Sequence, residues 1–166
     1  MPDIFNWLSG NPGQSVMVDT VRQHTKSEDE AQSLALRLLI HFYGDIHQPL
    51  HNVDRYTSKY PSGDKGGNAF AVKMHYKANE LHAVWDSAIY SYYASIKKPF
   101  TAETFTMLGS LSSDLFGKYP VSPAELTVSY KEMKDESYAV AQTLYDGLTE
   151  GQALPDSYVT KYKDVI

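Results

Sequence analysis

Ala31, Leu34, Ala35, Leu38, Leu39 and Phe42 recur at the three- and four-residue spacing that lines apolar side chains along one helix face. Ser27 followed by Glu30 supplies a capping box at the head of this stretch. Gly44 falls near its end, and Pro49 lacks the amide proton an undisturbed helix would need. A long amphipathic helix stopping short of Pro49 is thus the element around which the chain must pack. His51 is expected just beyond it, in a turned segment.

The remaining pattern is also mainly helical. "ELHAVWDSAIYSYYASI" predicts a second strong helix, capped by Asn79 and stopped before Pro99, and further helices are expected over roughly 101–116 and 123–148. The last residues begin another. "VDRYTSKYPSGDKGGN" reads as an exposed loop, and Phe70, Val72, Met74 and Tyr76 alternate as in a strand, giving a small β-hairpin near residues 68–78. A chain of 166 residues, 42% hydrophobic, is long and apolar enough for one core. The expected fold class is mainly α, a helical bundle with residues 1–166 in a single domain.

Composition excludes several functions. A formal net charge of -5 argues against holding duplex nucleic acid mainly by phosphate neutralisation, which needs clustered Lys and Arg. No apolar run approaches the ~20 residues that span a bilayer, and "MPDIFNW" has neither the basic start nor the apolar stretch of a signal peptide. Without cysteine there is no disulfide and no thiolate, so a metal here must be bound by nitrogen and oxygen.

"HFYGDIHQPLH", residues 41 to 51, holds three of the six histidines. His41 and Asp45 are four apart on the first strong helix, and His82 and Asp86 are four apart on the second, so each pair projects from one helix face. Two packed helices that each offer an imidazole and a carboxylate can aim four ligands at one point, with His51 as a fifth candidate. Such a donor set suits zinc in a hydrolytic site, although manganese or iron accepts the same atoms. The plainer reading of a His-x-x-x-Asp pair is a surface ion pair or helix hydrogen bond. Spacing alone leaves both readings open.

"HFYGDIHQPLH", then "GGN" at Gly66 to Asn68, then "LHAVWD" at Leu81 to Asp86, resemble the signature of the class I zinc-dependent nucleases and 3'-nucleotidases, the S-one/P-one type that includes mung bean nuclease. The strong part covers roughly residues 30 to 90, with weaker similarity in "DESYAVAQTLY" and "LPDSYV". The resemblance implies a helical protein with up to three zinc ions in a cleft. Its implied substrates are single-stranded DNA and RNA, cut to 5'-phosphate products, and 3'-nucleotides. Carried over, His41 ligates the first zinc and Asp45 bridges the first and third, which makes Asp45 the catalytic carboxylate. His51, His82 and Asp86 bind the second. The implied mechanism is attack on phosphorus by a zinc-activated water while another zinc steadies the leaving 3'-oxygen. Asn68, with Gly67 before it, resembles the family's substrate-contacting position. A secreted or lumenal site of action is implied as well.

The departures shape the expectation. In the family a mature amino-terminal tryptophan, a nearby histidine, and a further aspartate and histidine complete the other zinc sites. Trp7, Asp3, Asp19 and His24 lack their order and spacing. The chain is therefore expected to be an incomplete member that binds one zinc well and a second poorly, with weak or no nuclease activity. Another chain could supply the missing amino-terminal segment. His47 is expected in an outer or helix-end role. His24 and His75 are expected at the surface, Tyr90, Tyr92 and Tyr93 in packing, and Asp135 and Glu136 on a solvated face. Two alternatives stand beside the nuclease: a related zinc phospholipase C, and a non-catalytic helical module stapled by its metal.

Overall fold

The computed structural model describes every residue except 12, 74–77, 90–95, 97, 124–128, 164 and 166. Among the described residues the helices are α1 (Pro2–Leu8), α2 (Val16–Gln23), α3 (Glu28–His47), α4 (Leu81–Asp86), α5 (Ala102–Lys118), α6 (Tyr130–Ala141) and α7 (Asp156–Tyr162), with a 3-10 turn at Pro49–His51. The mainly helical fold class is as the sequence implied. No described helix is long and apolar enough to cross a membrane.

α3 is the expected long helix, and its ends follow from local chemistry. The Ser27 side chain accepts from the Glu30 amide, while the Glu30 carboxylate accepts from the Lys26 amide, one residue further back than a full capping box would place it. At the other end Gln48 turns extended (φ -82°, ψ 112°), and Pro49 opens the 3-10 turn that carries His51. The sequence did not single out α1 and α2, yet they build the first of two cores. Ile4, Trp7, Val18 and Val21 bury against Ala31 and Ala35 of α3, flanked by Leu34, Leu38, Leu39 and Phe42. The predicted stripe is the packed face, and its two alanines leave room for the helices lying on it.

The second core lies behind the other strong motif. Leu50, Phe70, Val72, Leu81, Val84, Trp85 and Ile89 pack with Ala141, the last residue of α6, with Leu144 just after it, and with Tyr158 and Tyr162 of α7. The indole N–H of Trp85 donates to the Tyr158 hydroxyl at 2.9 Å, which satisfies both polar groups inside this core. α6 is tied to α3 by the Ser137 hydroxyl, which donates to the Ile46 carbonyl at 2.7 Å.

Three boundaries differ from the sequence reading. α4 is short: Ala88 (φ 48°) and Ile89 (φ 50°) turn left-handed, which ends the helix and carries Ile89 into the core. Burying an isoleucine is worth about 1.5–3 kcal/mol, of the same order as the ~2–4 kcal/mol that two residues in that conformation cost. Its N-cap is Glu80 rather than Asn79, without a side-chain cap bond. α6 begins at Tyr130, where Ser129 and Glu132 form the full reciprocal capping box. Of the expected hairpin, the arms meet in one antiparallel bridge, Ala71 with Glu80, flanked by the Val72 amide on the Asn79 carbonyl. Residues 74–77, and with them His75, lie outside the described residues, as do Tyr90, Tyr92 and Tyr93.

Candidate metal centre

The two motifs meet because the 3-10 turn seats Leu50 in the second core directly beneath α4. His51, next along the chain, then faces His82 and Asp86 of α4. Nε2 of His51 lies 3.5 Å from Oδ1 of Asp86, and Nε2 of His82 lies 3.6 Å from Oδ2 of the same carboxylate. The two imidazoles stack with centroids 4.7 Å apart. One ligand atom from each of His51, His82 and Asp86 falls within 4.8 Å of the other two.

These separations fit an ion pair as well as donors set around one ion. At 3.5 and 3.6 Å the nitrogen–oxygen pairs are too long for hydrogen bonds. Each is close to the ~3.3 Å that separates two donors on one tetrahedral zinc with bonds of ~2.0–2.1 Å, and the two run to opposite oxygens of Asp86. His82 is also oriented for a ligand: its Nδ1 lies 2.7 Å from the Gly66 carbonyl, which can only accept, so Nδ1 donates there and Nε2 is the atom turned toward Asp86. Asp86 is steadied by Gln48, whose side-chain amide donates to Oδ1 at 2.9 Å. The same Gln48 side chain accepts from the Leu50 amide and so caps the 3-10 turn.

The first pair is arranged differently. His41 Nε2 is 3.2 Å from Asp45 Oδ2, a direct contact, and the His41 side chain is 67% exposed. The same Asp45 oxygen lies 3.7 Å from Nδ1 of His51. His41 and Asp45 thus border the centre without converging with it: among the described residues only His51, His82 and Asp86 form a cluster able to hold an ion. His47 is exposed with Nδ1 2.8 Å from the Tyr43 carbonyl, a helix-end role, and His24 is exposed beside the Thr20 carbonyl.

His41, Asp45, His47, Gln48, His51 and Asp86 line an open cleft of about 530 Å³, with Gly44, Trp85, Ala88 and Val165 completing the wall. Among the described residues no lysine or arginine lines it, and the bases facing its two carboxylates are histidines. Asn68 is exposed, and its side-chain amide donates to the Lys65 carbonyl at 2.8 Å. Gly67 is buried, with its amide on Asp64 and its carbonyl accepting from the Phe70 and His82 amides. Trp7 and Asp3 are far from ligand duty: the Trp7 indole donates to Glu28, and Asp3 accepts from the Ser15 hydroxyl.

Sequence reasoning missed three supporting residues. Gln48 stands in plain sight between two ligands of "HQPLH", yet only the folded turn shows that it serves both Leu50 and Asp86. Asp64 and Tyr145 are 81 positions apart and bonded at 2.6 Å, a relation no local spacing could reveal.

A family model described as S1/P1 Nuclease matches residues 14–166. "Endonuclease 4" of Arabidopsis thaliana is 32% identical over 112 residues, which cover 68% of this chain and 32% of that protein. "Endonuclease 2" of the same plant is 29% identical over 137 residues, covering 75% of this chain and 42% of that protein. Over a shorter stretch of 55 residues, "Endonuclease 1" reaches 44% identity. The chain thus spans about a third to two fifths of the length of the first two relatives. With nearly all of its length matched by one family model, this chain belongs to the S1/P1 nuclease family.

Proposed function

We propose that the chain is a zinc-dependent phosphodiesterase module that takes single-stranded DNA or RNA and 3'-nucleotides, with one zinc held by His51, His82 and Asp86. The observation that carries this is the convergence of those three side chains, with one ligand atom of each within 4.8 Å of the other two. Three protein ligands leave an open position, the pattern of catalytic rather than structural zinc. Bound there, zinc supplies Lewis-acid stabilisation of charge on phosphoryl oxygens and on the leaving 3'-oxygen.

The chain's own residues have separable tasks in this reading. His82 presents Nε2 because Gly66 holds its Nδ1 proton. Asp86 turns Oδ2 toward His82 and Oδ1 toward His51, and Gln48 donates to Oδ1. Asp45, our catalytic carboxylate, sets Oδ2 between His41 and His51, where it can take a proton or share a second cation with His41. Because His41 and Asp45 lack a third converging donor among the described residues, that second site is weak and turnover by the 166-residue chain is low. Asn68, on the loop that supports His82, is the side chain we assign to substrate, and the same reading places the protein in a secreted or lumenal setting.

The family match and the endonuclease names of the relatives favour nucleic acid over phospholipid as the phosphodiester. The test is binding of a non-cleavable phosphorothioate oligonucleotide to the zinc-loaded chain, with the duplex form and phosphorylcholine as competitors. Zinc-dependent binding of the single strand, lost in His82→Ala and unmoved by phosphorylcholine, supports the assignment. Binding that ignores zinc, or that phosphorylcholine displaces as well as a mononucleotide does, contradicts it. Robust hydrolysis by the same chain would contradict the weak second site.

A further inference from the structure

We propose that Asp64 is a positioning residue for the zinc centre, acting through the Gly66 carbonyl on His82; the inference rests on the metal reading above. Asp64 is fully buried. Its Oδ1 accepts from the amides of Arg55 and Gly67, both at 3.1 Å, and its Oδ2 accepts from the Tyr145 hydroxyl at 2.6 Å. Its own carbonyl accepts from the Ala69 amide at 2.9 Å, so one residue closes the loop 64–69 on itself and fastens it to the segment after α6.

The loop it closes touches both ligand-bearing elements. Gly66 (φ 59°) approaches so closely that a Cβ there would collide with the Leu50 carbonyl, one residue before His51. Gly67 (φ 82°) lies under the start of α4, where a Cβ would stand 3.1 Å from Leu50 Cδ1 and 3.3 Å from the His82 amide nitrogen. The Gly66 carbonyl therefore reaches Nδ1 of His82 only if the loop keeps this conformation; Asp64 is the buried side chain that fixes it, with Asp54 accepting from the Gly66 amide at 3.4 Å as an outer anchor. None of its contacts is with a ligand directly. Outer partners that set the tautomer and aim of a metal-binding histidine typically change metal affinity ~10–100-fold when removed.

The experiment uses the full 166-residue chain. In ¹⁵N-edited NMR of the metal-free protein, His82 should give a protected Nδ1–H signal. Asp64→Ala should erase that signal and weaken zinc binding ~10–100-fold by calorimetry. Asp64→Asn, which keeps an acceptor for both amides, should restore most of both. Tyr145→Phe removes one anchor and should give an intermediate result; it replaces Asp64→Ala if that variant does not fold. Val18→Ala, a cavity in the other core, should lower stability without altering either readout. Unchanged His82 signals and zinc affinity in Asp64→Ala or Tyr145→Phe, or equal changes in Val18→Ala, would overturn the proposal. The tautomer is read without metal, so a parent that binds no zinc would refute the metal reading while leaving the positioning role to be judged by the NMR arm.

Discussion

His51 and His82 stack their imidazole rings 4.7 Å apart and 25° from parallel, one ring coming from a 3-10 turn and the other from α4. The stack brings two ring nitrogens to opposite oxygens of Asp86. Packing and ligation are therefore separable at His51. His51→Phe keeps a ring over His82 and removes both nitrogens. We expect metal-free stability within about 0.5 kcal/mol of the parent, as for a surface substitution, with zinc binding lost. Calorimetric unfolding and zinc titration of the same preparation check the pair of outcomes.

Gln48 serves two partners at once, accepting from the Leu50 amide and donating to Asp86 Oδ1. Gln48→Ala should lower stability by about 1 kcal/mol through the uncapped turn. It should also weaken zinc binding several-fold, because Asp86 is no longer held. Urea denaturation with and without zinc separates the two effects; a loss of stability alone would show that Asp86 needs no steadying.

Ser129 and Glu132 form the reciprocal capping box at the head of α6, and α6 packs against α3. Ser129→Ala should cost about 1 kcal/mol. The midpoint of urea unfolding should fall while zinc affinity in the folded state stays at the parent value, since α6 presents no ligand.

Glu28 joins α3 to the first core by accepting from the Arg22 guanidinium at 2.8 and 3.0 Å and from the Trp7 indole at 3.0 Å. The Arg22 bond, aided by Trp7, holds its carboxyl below the usual glutamate range. Its contribution is complete above the unfolded value, about 4.3, and is lost as pH falls through the lower folded value. The parent should therefore lose stability in that acid window more steeply than Glu28→Gln. The difference should shrink in high salt, because the pair is exposed. Thermal melts from pH 6 to 3 at two ionic strengths measure it.

Much of the centre was readable from local spacing, because helix periodicity and a proline fix where His41, Asp45 and His51 must stand. The i,i+4 rule likewise placed His82 and Asp86 on one face, even though α4 is far shorter than its sequence pattern suggested. That pattern runs on past Ser87, but the core demands a turn at Ala88 and Ile89, and tertiary burial overrides propensity there. α1 and α2 carried too few periodic residues to announce themselves, although Ser15 caps α2 as a helix start should. What spacing could not distinguish is that one His-Asp pair touches directly while the other stands apart from its partner by more than a hydrogen bond. Distance across the fold decides that, as it decides the bond between Asp64 and Tyr145.

The most direct test of the account is the zinc content of the purified chain by elemental analysis, beside the chain carrying His51→Ala and His82→Ala. The account predicts about one zinc per parent chain and none in the double variant, from the three-donor cluster of His51, His82 and Asp86. A parent without zinc under metal-replete conditions, or a double variant that keeps it, would contradict it.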